Sequence, residues 1–198
     1  MNIPEKYLKK ISKQEIREYP LRKYSGPIYM INTFDHVRFA IENIMTEQIL
    51  GFDTESKPSF KKGINNPPSV LQLATEESVF IFQLSESFFP SDLHKILSSA
   101  KIIKTGVAIK DDVIGLNRIS QFDPAGFIDL GEISKKLGLQ THGLQNLAAN
   151  LLGFRISKTM QRSNWGRKKL SKSQILYAAT DAWVSREVHL QLKKLKLL

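Results

Sequence analysis

The segment ILGFDTES, residues 49–56, places two acidic residues at the end of an apolar run. Successive side chains of a strand point to opposite faces, so Asp53 and Glu55 are predicted to lie on the same face. Two carboxylates held together in a buried strand repel each other and lose hydration, which costs free energy unless a positive charge lies between them. The segment therefore indicates a cation-binding site at a strand end, provided that the chain supplies the other ligands.

A second candidate acid lies on the last predicted helix, which begins after Ser171 as its N-cap. Tyr177 and Asp181 are four residues apart in LSKSQILYAATDAWVSREVHLQL. Residues at this spacing share a helix face, one turn from each other. The pattern fits a tyrosine and an acid that act together, and it also fits a core-facing tyrosine beside a surface aspartate.

Further acids follow the predicted strand in KTGVAIKDDVIGL, where Asp111 and Asp112 occupy the first turn of a helix. Acids at this position commonly cap a helix and complement its dipole. One of the two could serve the cap while the other faces a cleft, and periodicity alone does not choose between them. Asp129, in FIDLGE, is interpreted as a structural acid.

The order of apolar patterns and chain breakers predicts a basic N-terminal extension over residues 1–26, helical in part, and one domain over residues 27–198. Residues 56–68 are predicted to form a loop, and the strands on either side of Glu76 and Glu77 a hairpin. Strands grouped first and then alternating with helices indicate an α/β domain with a mixed sheet. Helices are predicted near residues 34–47, 91–99, 111–119, 143–152 and 171–194.

Composition narrows the class of protein. A chain of 198 residues that is 41% hydrophobic and 24% charged is typical of one globular domain. The absence of cysteine excludes disulfides, zinc–thiolate sites and cysteine nucleophiles. No apolar run approaches the length of a membrane span, and the charged N-terminus lacks the apolar core of a signal peptide. We therefore expect a cytoplasmic protein without a membrane partner.

The charge of the chain is strongly basic, with 29 Lys and Arg against 19 Asp and Glu and a formal net charge of +10. The excess is concentrated, because residues 133–180 contain nine Lys and Arg and no acid, and seven of the nine lie between Arg155 and Lys172. Such an excess predicts an anionic partner, and we interpret this stretch as a phosphate-binding face. A solvated basic surface is the alternative.

Together these segments resemble a known family. FDTES, GVAIKDDVIGL and YAATD are similar, in order and separation, to the three exonuclease motifs of the DEDD superfamily. Tyr177 matches the DEDDy branch, whereas the DEDDh branch has a histidine where this chain has Leu176. SVLQLAT, HGLQNLAANLLG and RSNWGRKKLSKSQILYAATDA extend the resemblance over residues 28–192. It is closest to the Werner-type exonuclease domain and extends to ribonuclease D. The frame of the middle motif selects Asp112 over Asp111.

The resemblance implies an α/β fold of the RNase H-like type, with a mixed five-stranded sheet flanked by helices. It also implies two divalent ions, Mg²⁺ or Mn²⁺, held by Asp53, Glu55, Asp112 and Asp181. Hard cations of this kind prefer carboxylate oxygens, and two of them can bind the attacking and leaving oxygens of a displacement at phosphorus. Tyr177 would orient the attacking water, since its ordinary pKa of about 10 is too high for a general base.

The implied activity is a 3′–5′ exonuclease that releases 5′-mononucleotides from the 3′ end of nucleic acid. Trp165 could stack on a base or pack in the core, and packing is favoured. Lys168 and Lys169 would follow the phosphate backbone without reading sequence. The full set of residues that the resemblance assigns to nucleic-acid binding is Thr54, Arg162, Asn164, Trp165, Lys168 and Lys169.

Two other classes of function are less well supported by the sequence. A silent nucleic-acid-binding module would not need all of the acids and the tyrosine. An aspartic protease would require Asp-Thr-Gly where this chain has Asp-Thr-Glu, and a glycosidase would not explain the basic stretch.

The Werner-type likeness favours DNA, with ribonuclease D-like processing of RNA 3′ ends as the alternative. The chain has no room for the C-terminal helical domains of ribonuclease D, or for a helicase or polymerase domain. We expect a stand-alone enzyme or an accessory subunit, and a helicase or repair partner remains open.

Overall fold

The computed structural model describes residues 3–59, 66–85 and 87–198. Within these ranges, the N-terminal residues 3–26 contain two short helices, α1 at Glu5–Leu8 and α2 at Lys13–Glu18. We call residues 3–26 the strap. It lies against the rest of the protein, and three of its side chains are buried: Tyr7, Ile16 and Tyr24.

The described residues form one six-stranded sheet with the strand order β1-β4-β3-β2-β5-β6. Its strands are β1 at Ile28–Ile31, β2 at Ile49–Ser56, β3 at Pro68–Ala74, β4 at Val79–Gln83, β5 at Ile103–Gly106 and β6 at Phe127–Asp129. The pairs β2–β3 and β3–β4 are antiparallel, whereas β1–β4, β2–β5 and β5–β6 are parallel. β2 is therefore an interior strand, paired on both sides.

Helices cover both faces of the sheet. They are α3 at Phe34–Ile44, α4 at Asp92–Leu97, α5 at Lys110–Ile119, α6 at Leu130–Lys136, α7 at Leu144–Leu147 and α8 at Lys172–Lys194. A π-helical turn, Ala148–Leu152, continues α7. The long helix α8 begins with a capping box, in which the Ser171 hydroxyl accepts from Gln174 N and the Gln174 side chain accepts from Ser171 N. The described helices include none that is long and apolar enough to cross a bilayer.

Alternation along β2 divides its side chains between two layers. Leu50 and Phe52 are fully buried in the cluster that includes residues of α3, α4 and α5. Gly51 lies under α8 on the other face, where a Cβ at residue 51 would collide with the carbonyl oxygen of Ala182. Only glycine allows this close approach of α8 to β2. Because Asp53 and Glu55 follow Gly51 at steps of two, they also face α8.

The predicted α/β domain with a mixed sheet flanked by helices is confirmed, and so is the hairpin of β3 and β4. The predicted number of five strands is wrong. Phe127–Asp129 forms a sixth strand, because its backbone pairs in parallel with β5. The predicted loop over residues 56–68 lies partly outside the described residues, and the part that follows Ser56 up to residue 59 has no regular structure.

Candidate active site

The carboxylates of Asp53, Glu55 and Asp181 form a compact cluster. One oxygen from each lies within 4.8 Å of the others. β2 supplies the first two, and α8 supplies Asp181 because Gly51 allows the helix to approach the strand. The structure therefore brings together acids that are far apart in sequence.

Tyr177 lies one helical turn before Asp181, as its spacing predicts, and it is 9% exposed. Its hydroxyl lies near enough to the Asp181 carboxylate for each group to shift the pKa of the other. Burial, followed by the charges of Asp181 and Glu55, raises the pKa of Tyr177 above its ordinary value, so the hydroxyl stays protonated.

Asp112 stands beside this cluster, on the first turn of α5, and is held from the other face of the sheet. The Thr54 hydroxyl donates a hydrogen bond of 2.5 Å to Asp112 Oδ1. Thr54 alternates with Asp53 and Glu55 along β2, so its side chain points toward the α5 layer. The preceding residue, Asp111, is exposed at the surface. Of the two neighbouring aspartates, the structure therefore places Asp112 closer to the cluster.

Asp129 holds the start of α5 in place. Its carboxylate accepts hydrogen bonds from the backbone N–H groups of Ala108 at 3.2 Å and Ile109 at 3.1 Å. It also caps α6 through Gly131 N at 2.8 Å and Glu132 N at 3.2 Å. These four bonds agree with its interpretation as a structural acid, and they fix the turn from which Asp112 projects.

The cluster resists ionisation in the absence of a cation. Burial, together with the charges of Asp181, Glu55 and Asp112, raises the pKa of Asp53 well above its usual range. Burial, and then the charges of Asp181 and Asp112, raises the pKa of Glu55 to about 9. Acids that disfavour their charged forms this strongly are typical of sites that bind a positive group.

The other two acids have smaller shifts. Burial raises the pKa of Asp112 to about 6, and the hydrogen bond from Thr54 opposes the increase. Burial raises the pKa of Asp181 to about 7, while the hydrogen bond from Tyr177 and the positive charge of Lys158 lower it. Asp181 Oδ1 is buried without a hydrogen-bond partner among the described residues. A donor set made of carboxylate oxygens, one of them unpartnered, fits a hard divalent cation such as Mg²⁺ or Mn²⁺.

A cavity of about 310 Å³ opens above these groups. Its walls include Asp53, Glu55, Tyr177 and Asp181, together with the segments around Gly143–Gln145 and Ile156–Lys158. A wider cavity of about 1020 Å³ reaches Asp112 from the side of α5 and is also lined by Lys57 and Arg118. Asp112 therefore lines the wider cavity, and the other three acids line the narrow one.

Lys158 is a functional candidate that the sequence did not single out. It lines the narrow cavity together with Gln161 and acts electrostatically on Asp181. In the sequence it was only one of seven cations between Arg155 and Lys172. The signal that separates it from the others is its position relative to α8, which no local pattern contains.

Of the six predicted nucleic-acid-binding residues, Thr54 lines the narrow cavity, and the other five line neither of these two cavities. Arg162, Lys168 and Lys169 are exposed beside them. Asn164 is also exposed, and its side-chain oxygen accepts from Gly166 N at 3.1 Å, which stabilises a turn. Thr54 lines the narrow cavity and also donates its hydroxyl to Asp112.

Trp165 is fully buried, at 0% exposure, in the cluster that contains Leu170, Tyr177 and Ala178. Its ring centroid lies 6.0 Å from that of Tyr177. A base cannot stack on a ring that is enclosed in this way. Its assignment to nucleic-acid binding is therefore corrected, and the packing alternative agrees with its position.

Comparison with known proteins gives the family. A family model described as 3′–5′ exonuclease matches residues 28–196. The mouse bifunctional 3′–5′ exonuclease/ATP-dependent helicase WRN is 30% identical over 186 residues, which is 89% of this chain and 13% of that protein. DNA polymerase I of Aquifex aeolicus is 32% identical over 149 residues, which is 75% of this chain and 24% of that protein.

The fold is also similar to a solved structure, that of Escherichia coli RNase D. The TM-score is 0.71 at 20% identity, and the match covers 86% of this chain and 46% of the other. This chain belongs to the 3′–5′ exonuclease family, in its DEDDy branch with an RNase H-like fold. Members of this family are divalent-metal-dependent exonucleases that act on nucleic acid 3′ ends, and the acidic cluster of this chain has the ligand atoms to hold such a metal. The chain spans a quarter or less of the length of the two curated relatives.

Proposed function

We propose that the chain removes 5′-mononucleotides one at a time from the 3′ end of DNA, with two divalent ions, Mg²⁺ or Mn²⁺. The observation that carries this proposal is the group of Asp53, Glu55 and Asp181 within 4.8 Å, with Tyr177 on the adjacent helical turn. Asp112 would complete the set of ligands from the side of α5.

The four carboxylates would hold the ions. Their pKa values are raised first by burial, and those of Asp53 and Glu55 also by repulsion from neighbouring acids, which bound cations would relieve. When bound, the ions would supply an activated water and stabilise the negative charge that develops at phosphorus. The other contributions to catalysis that we assign are made by side chains of this protein.

The Tyr177 hydroxyl would hold the attacking water in place. Its pKa is raised by burial and by the neighbouring acids, so it acts as a neutral hydrogen-bonding group and does not remove a proton. Lys158, which also lines the cavity, would attract the phosphate of the terminal nucleotide.

The preference for DNA is supported by sequence similarity. DNA polymerase I and WRN are 32% and 30% identical to this chain, whereas RNase D is 20% identical and shares the fold. The basic residues 155–172 suit a phosphate backbone of either kind, because phosphate contacts carry no sequence information. Whether the enzyme prefers DNA or RNA therefore has to be tested directly.

The test is digestion of 5′-labelled DNA and RNA strands of the same sequence, single-stranded or recessed, with added Mg²⁺ or Mn²⁺ or with EDTA. We expect a ladder of shortening products from DNA, at a higher kcat/KM than from RNA, and no products in EDTA. The matched control is Asp53→Asn, which keeps the side-chain volume and should abolish turnover while the protein stays folded.

Each contrary outcome identifies the part of the proposal that is wrong. Faster digestion of RNA would replace DNA with RNA as the substrate class. Near-normal activity of Asp53→Asn would remove Asp53 from the site. Cleavage inside a circular single strand would show that the chain is not restricted to 3′ ends.

A further inference from the structure

The strap is part of the folded surface rather than a free tail. Asn150 Nδ2 donates to the carbonyl oxygen of Tyr7 at 2.8 Å. At the other end of the strap, Tyr24 N donates to Thr180 Oγ1 at 3.1 Å, and the Tyr24 hydroxyl donates to the Glu77 carbonyl at 2.9 Å. The matched family model begins at residue 28. The strap therefore lies outside the residues that the family model matches.

The strap meets the basic segment of the domain at Arg155. Arg155 N donates to Pro20 O at 3.0 Å, and Arg22 N donates to Arg155 O at 2.9 Å. The Arg155 side chain adds a third bond, from Nε to the Tyr19 carbonyl at 3.0 Å. These contacts fix the backbone of Arg22 directly beside that of Arg155.

From Arg155 the chain leads into the candidate active site. Ile156, Ser157 and Lys158 line the narrow cavity that contains Asp181. Three peptide units span at most about 10 Å, so Arg155 lies within that distance of Lys158 along the chain. The cavity wall, Arg155 and the strap are therefore neighbours in one continuous stretch of surface.

This stretch is rich in unpaired positive charge. The strap carries seven Lys and Arg against three Glu. Arg22 and Lys23 are exposed, as is Lys158. The ion pairs found in the part of the chain that the structure describes involve none of Arg22, Lys23, Arg155 and Lys158. The exposed side chains of Arg22 and Lys23 therefore remain available to an external anion.

We infer that the strap extends the substrate-binding path. A single strand with its 3′ end in the narrow cavity would pass over residues 155–158, and its phosphates would then reach Arg22 and Lys23. This inference rests on the proposed function, because that function places the 3′ end in the cavity. It adds a property that the family domain alone does not specify, which is a dependence on substrate length. Short oligonucleotides would end before the strap, whereas longer ones would contact it.

The test compares the double variant Arg22→Gln/Lys23→Gln with wild type on two single strands. One is a trinucleotide, and the other has about 20 nucleotides, longer than the usual site of a single-strand groove. Binding of the labelled strands is measured by fluorescence anisotropy in EDTA at several salt concentrations, and kcat/KM is measured with Mg²⁺. The matched control is Lys193→Gln/Lys194→Gln, which removes the same charge from the last turn of α8.

We expect the strap variant to bind the long strand about tenfold more weakly. Its slope of log affinity against log salt should decrease by about 1.4, since each lost phosphate contact on a single strand contributes about 0.7. The kcat/KM of the strap variant for the trinucleotide should stay within about twofold of the wild-type value, because the active site is unchanged. The control should match wild type with both strands, and all three proteins should melt at similar temperatures.

Three results would overturn the inference: unchanged affinity for the long strand, an equal loss with both lengths, or the same loss in the control. Failure of the proposed function has a different signature. In that case wild type would release no mononucleotides from either strand, whatever the strap variant does to binding.

Discussion

The hydroxyl of Thr54 donates a 2.5 Å hydrogen bond to Asp112 Oδ1, and this bond joins an interior strand to the first turn of a helix. On one side of β2, Asp53 and Glu55 face Asp181, and on the other side Thr54 reaches Asp112. One strand therefore positions the carboxylates on both of its faces. Because Asp112 depends on Thr54 for its orientation, Thr54 should affect metal binding although it is not itself a ligand.

Thr54→Val keeps the shape of the side chain but removes the hydroxyl. We expect the Mg²⁺ or Mn²⁺ concentration needed for half-maximal activity to rise by about 10–100-fold, as is usual when a group that orients a metal ligand is lost. Metal titrations of the exonuclease rate would measure this change. Thr54→Ser restores the hydroxyl and should restore the metal dependence. If Thr54→Val and Thr54→Ser shift the metal dependence equally, the hydroxyl does not orient the metal ligand.

Asp112 and Asp111 make a matched pair of acids. Asp112→Asn should lose most activity, because the side chain that Thr54 holds beside the cluster would lose its charge. Asp111→Asn should retain activity and cost about 1 kcal/mol or less, through the start of α5. Rates at saturating metal and thermal melting of both variants would test this. A greater loss of activity in Asp111→Asn would reverse the assignment.

Local patterns predicted much of this site. The two acids of β2, the Tyr177–Asp181 spacing and the Ser171 cap follow from short-range periodicity, and the structure places them as that periodicity requires. The segment GFIDLGEISKKLG is predicted to begin extended and to become helical, but the pairing of Phe127–Asp129 with β5, which makes it a sixth strand, follows no local pattern.

Contacts between distant segments could not be predicted either. Lys158 differs from its basic neighbours only through its position near Asp181. Trp165 is a suitable stacking residue by type, and only the packing of its ring against Tyr177 identifies it as core. The docking of the strap depends on single bonds, such as that between Asn150 and Tyr7, which follow no repeating pattern.

The raised pKa values predict how stability depends on pH in the metal-free protein. An acid whose pKa is higher in the folded state holds a proton that the unfolded chain has released, so its contribution to stability decreases as pH rises. For Glu55 this decrease begins near the ordinary value of 4.5 and is complete above about 9. Glu55→Gln imitates the protonated acid. In EDTA it should therefore melt above wild type at pH 9, with a difference that disappears toward pH 4.5.

Added Mg²⁺ provides the control for this prediction. It should raise the melting temperature of wild type more at high pH than at low pH, since bound metal requires ionised carboxylates. Glu55→Gln should respond less, because it lacks one ligand. A variant that melts below wild type at high pH in EDTA would contradict the repulsion on which this argument depends.

Lys158 should contribute more to turnover than the exposed lysines nearby. Lys158→Gln removes the positive charge on the cavity wall. We expect kcat to decrease by at least about tenfold, less than the roughly 10²–10³-fold cost of losing a buried donor, because Lys158 is exposed. Lys168→Gln/Lys169→Gln should instead raise KM and leave kcat nearly unchanged, because these residues lie outside the described cavities. Steady-state kinetics on a 5′-labelled strand would separate the two effects. If Lys158→Gln raised KM as much as Lys168→Gln/Lys169→Gln and left kcat unchanged, Lys158 would be an ordinary contact to the phosphate backbone of the substrate.

Tyr177→Phe tests the tyrosine and the direction of digestion in one experiment. The ring and its packing against Trp165 are kept, while the hydroxyl near Asp181 is lost. Since Tyr177 is not a ligand, metal binding and DNA affinity should change little, and turnover should fall by about 10²-fold or more. Wild type should shorten a 5′-labelled strand stepwise, and a 3′-phosphate should slow it, because the added charge would crowd the pocket for the 3′-hydroxyl. Full activity of Tyr177→Phe, or equal rates on both kinds of 3′ end, would show that the hydroxyl and the terminal pocket do not have these roles.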